Sequence, residues 1–151
     1  MKILISACLL GVPCRYDGAA KPCAEVPALL REHTCIPVCP EQLGGLATPR
    51  PPAERRGAAV VTAEGADVTA QYRRGAETAL ALAKLYGCQA AVLKELSPSC
   101  GRGVIHDGSF SGGLTGGDGV TAALLEAAGI PVYGESRIAE LLTGNAAEAD
   151  E

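Results

Sequence analysis

The sequence predicts a single-domain α/β fold: an open, mostly parallel sheet, Rossmann-like or flavodoxin-like, flanked by helices. Three observations carry this. Short apolar runs alternate with stretches of helical spacing along the 151 residues, the pattern of strand–helix–strand units. The length is that of one ordinary domain. No internal repeat or linker divides the chain, and the prolines at 49, 51 and 52 are too few to separate two cores. A domain over residues 1–144 and a polar tail over 145–151 are expected.

Residues 1–8 read as a buried strand, with Ile3, Leu4 and Ile5 ahead of small residues. Residues 9–21 read as a loop holding Gly11, Pro13 and the Asp17-Gly18 turn pair. Residues 26–33 suit a short helix, because Pro27 is tolerated in a first turn. A second apolar strand follows at 35–38. Glycines and prolines make 43–57 a loop or crossing segment. An edge strand is expected at 58–62, and the Glu64-Gly65 turn suggests a small hairpin over 58–68. Tyr72, Ala76, Ala79, Leu80 and Ala83 recur at helical spacing, so 69–86 is the clearest helix, ended by Gly87. A strand at 90–96, a glycine-rich loop at 104–119, a helix at 120–128, a strand at 130–133 and a helix at 137–142 complete the pattern.

Composition narrows the function. Hydrophobic residues make up 48% and charged residues 20%, as in a folded globular chain. Aromatics are only 3%, so Ala, Leu, Val and Ile must build the core. The many alanines mark either close helix-to-sheet packing or simply the base composition of the genome. The net charge of −4 and the scattered basic residues argue against a double-stranded DNA ligand. No apolar run is long enough to span a membrane. Ile5-Ser6-Ala7-Cys8 looks like a lipoprotein cleavage site, but the segment before Cys8 is too short for a signal peptide. The expected location is the cytoplasm. Nothing in the sequence specifies an oligomeric state.

Seven cysteines are many for this length, and an odd number cannot all pair internally. Three stand out by position. Cys8 follows the first predicted strand, Cys39 the second, and Cys100 the strand at 90–96. In open α/β sheets ligands bind beyond the carboxyl ends of the strands. Three thiols on three strand ends can therefore meet at one point, although buried inert thiols would share the same spacing. Converging thiolates suit zinc, which takes a fourth ligand or water, or an iron–sulfur cluster with one iron left open. Glu41, two residues beyond Cys39, is placed to act as general base beside such a metal. Ser97 and Ser99 flank Pro98 and are candidates to orient a substrate.

The stretches "ISACLLGVPCRYDG" at 5–18, "VCPEQLGGLATPR" at 38–50, "KELSPSCG" at 94–101 and "GSFSGGLTGGDGVTAALL" at 108–125 resemble the bacterial DUF523 family. The resemblance covers nearly the whole chain, in order. That family includes thiouracil desulfidases. The resemblance implies a [4Fe-4S] cluster held by three cysteines, with one open iron to take the sulfur of a thiocarbonyl. Water then attacks the carbon, giving the carbonyl base and sulfide with no net redox change. Carried over, the ligands are Cys8, Cys39 and Cys100, the acid–base group is Glu41 and the helper hydroxyl is Ser97. Cys14 competes with Cys39 for the middle position. The implied partner is a small thio-nucleobase or similar molecule. The alternative function is a non-catalytic metal- or cluster-binding module that senses or passes sulfur.

Arg15 and Arg50 lie in motif loops and are candidate substrate-binding residues, together with Ser99. Arg102 reads as a solvated surface charge, Asp17 as a turn residue and His33 as a surface histidine near a helix end. His106, ahead of the glycine-rich loop, is either a proton-transfer group or a surface residue. The loop lacks the Lys-Ser/Thr ending of a P-loop, so it reads as a lid over the cluster rather than a nucleotide cradle. Cys23, Cys35 and Cys88 read as structural.

Overall fold

The computed structural model describes residues 1–143, so the expected tail at 145–151 lies outside the described residues. In chain order the elements are β1 (Lys2–Ser6), α1 (Val26–Glu32), β2 (Thr34–Val38), α2 (Pro40–Leu43), β3 (Ala53–Arg56), β4 (Ala59–Thr62), α3 (Thr69–Tyr86), β5 (Ala90–Leu93), β6 (Val104–His106), β7 (Leu114–Gly116), α4 (Val120–Ala127) and β8 (Val132–Gly134). Two 3-10 segments, Ala7–Leu10 and Glu135–Leu141, cap the sheet.

The main sheet is parallel, in the order β2-β1-β5-β8. This is the flavodoxin-like choice between the two expected forms. β1 is an inner strand: Ile3 lies opposite Cys35 on one side and Ala90 on the other. Its apolar run has no polar alternation because both faces are covered. Ile3 and Ile5 pack with Val26 and Leu29 of α1 and with Ile138 and Leu141 of the last 3-10 segment. Leu4 points the other way, among Ala79 and Ala83 of α3 and Ala122 and Leu125 of α4. Three layers result. Ala79 and Ala83 of α3, which face the sheet, are fully buried, so helix and sheet pack closely there.

The chain leaves β1 toward β2 and leaves β5 toward β8, so the connections diverge between two adjacent strands. That divergence opens a crevice at the carboxyl ends of β1 and β5.

Several boundaries differ from expectation. The strand read at 90–96 stops at Leu93, because the next N–H groups turn to side chains: Lys94 N–H donates to Ser6 Oγ at 2.9 Å and Glu95 N–H to Glu135 Oε1 at 2.6 Å. The segment 43–57 contains β3, which pairs antiparallel with β4, so the hairpin spans 53–62 rather than 58–68. A single bridge, Val61 to Asp67, is what the Glu64-Gly65 turn adds. The glycine-rich loop holds a second hairpin, β6–β7. The expected last helix is a 3-10 segment starting at Glu135, where an Arg137–Glu140 ion pair spans three residues, as 3-10 stacking favours.

Two glycines place α2 directly on α3. A Cβ on Gly75 would lie 1.9 Å from the Pro40 carbonyl oxygen, and one on Gly44 would lie 2.0 Å from that of Gln71. Backbones meet here with no room for a side chain. Gly75→Ala is therefore expected to push α2 off α3 and cost about 1–3 kcal/mol, as overpacking does. A denaturation midpoint checks this. The same displacement would move Cys39 and Glu41, which flank and begin α2.

Candidate active site

The crevice beyond β1 and β5 is a cavity of about 370 Å³. The functional side chains reach it from three connections, those that follow β1, β2 and β5. Cys8 sits in the 3-10 turn that follows β1 and is 7% exposed. Cys39 is the residue between β2 and α2. Cys100 lies in the loop that follows β5 and is buried. Cys14 arrives from the long connection between β1 and α1. All four thiols line the cavity.

The loop carrying Cys100 is held from several sides. Ser97 Oγ accepts hydrogen bonds from the N–H groups of Ser99 and Cys100, each at 3.1 Å. The Cys100 thiol also contacts the hydroxyls of Ser6 and Ser99. Leu96 makes the bend with φ of 69°, a left-handed backbone that costs a non-glycine residue roughly 1–2 kcal/mol. The bend starts the loop that brings Ser97 and Cys100 to the cavity.

Burial pushes the Cys8 thiol up to about 11, with the Glu41 charge adding to it and Arg15 and Lys94 opposing it. Burial and the neighbouring Cys39 push Cys14 up to about 12. Cys100 is raised as well, by burial and then by Glu41. Without a cation these three thiols keep their protons at neutral pH. Binding a thiophilic metal group would release them.

Glu41 lies in the first turn of α2 and lines the cavity. Burial raises its carboxyl above the ordinary range, and the Arg50 guanidinium pulls the other way. Arg50 Nη2 stands 3.4 Å from Glu41 Oε2 and donates at 3.0 Å to the Cys14 carbonyl. Its Nη1 donates to Thr48 Oγ1 at 2.9 Å. Arg50 thereby ties the Cys14 loop to the carboxylate of α2.

The remaining expected residues divide. Arg15 and Ser97 line the cavity. Ser99 does not: it is fully buried, and its hydroxyl pairs at 2.8 Å with Thr121 of α4. Its geometry is that of a brace beneath the cysteine loop, not of a substrate contact. Arg102 is exposed and paired with Asp118 and Glu126. His33 is no free surface residue, since Nε2 meets the Leu141 carbonyl at 2.7 Å. Of residues 104–119 only His106 lines the cavity, so this segment supplies one wall residue and does not cover the site.

Other lining residues were not foreseen. Tyr72 of α3 reaches the cavity, with its hydroxyl held in the protonated form by burial and by Glu41. Lys94 lies at the end of β5, paired at 2.8 Å with Glu135. Lys94 is hidden in the sequence because a strand read on to residue 96 places it inside the strand instead of just beyond its end. Tyr72 gives no signal either, because helical spacing marks it simply as core.

With this geometry in view, comparison with known proteins is decisive. The model of the 2-thiouracil desulfurase family matches residues 3–137. The chain belongs to the 2-thiouracil desulfurase family. A relative within reach is the uncharacterized protein YbbK of Bacillus subtilis (strain 168), 45% identical over 150 residues, covering 93% of this chain and 99% of YbbK. A solved structure, that of the [4Fe-4S]-dependent thiouracil desulfidase TudS (DUF523Vcz), superposes with a TM-score of 0.88 at 52% identity, covering 93% of this chain and 94% of that one. This bears out the DUF523 resemblance and the α/β fold expected from the sequence.

The donor set of this family member suits an iron–sulfur cluster. Thiols from separate loops share one buried cavity, and sulfur is the ligand such clusters take. Among the described residues no group of three or more Cys, His, Asp or Glu side chains is arranged to hold a single metal ion. A four-iron cluster asks for a different spread, because each thiolate binds a different iron.

Proposed function

We propose that this protein is an iron–sulfur-dependent desulfidase. It converts the C=S group of a thiouracil-type base to C=O with water, releasing sulfide with no net redox change. The observation that carries this is the convergence of four thiols and the buried carboxylate Glu41 on one cavity, at the sheet edge where such folds bind ligands. The 52% identity to a [4Fe-4S]-dependent thiouracil desulfidase supports it.

Cys8, Cys39 and Cys100 would hold the [4Fe-4S] cluster, with Cys14 the alternative to Cys39 and zinc the alternative occupant. When bound, the cluster supplies a thiophilic Lewis acid for the substrate sulfur. The chain's own residues do the rest. Glu41, as carboxylate, takes a proton from the attacking water. Arg50 keeps that carboxylate in place and favours its charged form. Ser97 holds the Cys100 peptide and keeps a hydroxyl proton to donate toward the substrate. Arg15, whose charge acts on Cys8, adds positive charge to the cavity and would favour a negatively charged sulfur there. All seven cysteines are free, which suits a reducing compartment, and we place the protein in the cytoplasm. No helix among the described residues is long and apolar enough to cross a membrane.

The test is anaerobic purification and reconstitution, followed by sulfide release from 2-thiouracil and 4-thiouracil. About four irons per chain and stoichiometric uracil and sulfide are expected. Bound metal without turnover of any thio-base would favour the non-catalytic sulfur sensor or accessory module instead.

A further inference from the structure

The proposed activity uses the thiols, Glu41, Ser97 and the arginines, but gives no task to several other polar residues of the cavity, His106 among them. Among the described residues two buried side-chain nitrogens lack a hydrogen-bond partner, Arg50 Nε and His106 Nδ1. Both residues line this cavity. Native folds rarely leave a buried polar atom unpaired unless a ligand or water completes it. Arg50 is nonetheless anchored through its other two nitrogens. Lys94 is paired with Glu135, and Glu54 accepts the N–H groups of Gly108 and Phe110. His106 Nδ1 has no such anchor: this side-chain nitrogen is buried without a hydrogen-bond partner among the described residues.

Its position is nevertheless well defined. His106 ends β6, in register with Leu114 of β7. Its neighbour Ile105 is buried and bridges to Leu96, at the start of the cysteine loop. Backbone pairing therefore places His106 on a wall separate from the loops that carry the thiols. A neutral imidazole offers one acceptor nitrogen and one N–H donor. A thiouracil-type base offers ring N–H donors beside carbonyl or thiocarbonyl acceptors.

We propose that His106 is a substrate-binding residue that sets specificity in this site, its Nδ1 accepting a hydrogen bond from a ring N–H of the thio-base. This rests on the desulfidase function proposed above. A site built to bond a ring N–H discriminates against analogues that lack it, because its own buried group is then left unpaired.

The experiment uses the full chain with its cluster reconstituted and compares wild type, His106→Leu and His106→Asn. Iron per chain, KM and kcat for 2-thiouracil, and equilibrium binding of uracil are measured. His106→Leu is expected to keep its iron and hold kcat within about threefold, while KM and the uracil Kd rise about tenfold, the worth of one such hydrogen bond. His106→Asn, which restores an acceptor near the Nδ1 position, recovers most of this. Methylating 2-thiouracil at one of its two ring nitrogens should weaken wild type by a similar factor and leave His106→Leu indifferent. Unchanged KM and uracil binding in an iron-replete His106→Leu overturn the proposal while the desulfidase function stands. If wild type binds uracil but releases no sulfide, the desulfidase function falls, and uracil binding by the variants still decides whether His106 contacts the base.

Discussion

Cys100→Ser is expected to abolish cluster retention and cut sulfide release by at least about 100-fold, beyond what loss of an outer-shell partner costs. Cys100 is buried but lines the cavity, with its peptide N–H on Ser97 and its thiol against Ser6 and Ser99. Serine fits this space, so the fold should survive. Its hydroxyl is a harder donor that does not ionise at neutral pH, so iron is lost while the packing is kept. Cys8→Ser should behave the same way, since that thiol shares the cavity and the raised pKa. The middle position is the informative one. If Cys39 is the ligand, Cys39→Ser loses iron and Cys14→Ser keeps it. The reverse result would move the ligand to Cys14. Iron and acid-labile sulfide per chain after anaerobic reconstitution provide the measurement.

Glu41→Gln is the second large effect, and it should differ in kind. The variant is expected to keep its iron and its fold but lose sulfide release by about 10²–10⁴-fold, the usual contribution of a positioned acid–base group. Gln retains an oxygen to accept from Arg50, whose guanidinium is held in any case by the Cys14 carbonyl and Thr48. Glu41→Leu would remove that acceptor and leave a buried charge short of a partner, so a stability loss of about 3–5 kcal/mol accompanies the lost activity. Comparing the two variants by kcat and by denaturation midpoint separates the proton-transfer role from the structural one. Equal activity of Glu41→Gln and wild type would remove Glu41 from the chemistry.

Much of this was legible in the residues. The run Ile3-Leu4-Ile5 declared a strand buried on both faces, and Ala76, Ala79 and Ala83 declared the buried face of α3, because burial imposes its period locally. The strand-end positions of Cys8, Cys39 and Cys100 followed from those elements, and the cavity does collect them together with Glu41. The short hairpins were not legible. In β7 all three residues are exposed, so no alternation records the pairing, and β3 lies in a stretch that its glycines and prolines mark as a loop or crossing segment until β4 lies against it.

The sequence by itself determined the layered α/β fold and the sheet edge at which the chemistry sits, since both follow from periodicity and from how a strand ends. Only the tertiary structure decided the walls of that site. It turned Ser99 away to Thr121, set Arg50 against Glu41 across a loop, and brought Tyr72 and His106 to the same cavity from a helix and a hairpin far apart in the chain. Such contacts depend on how separate elements pack, and a residue's neighbours in sequence carry no trace of its neighbours across a cavity.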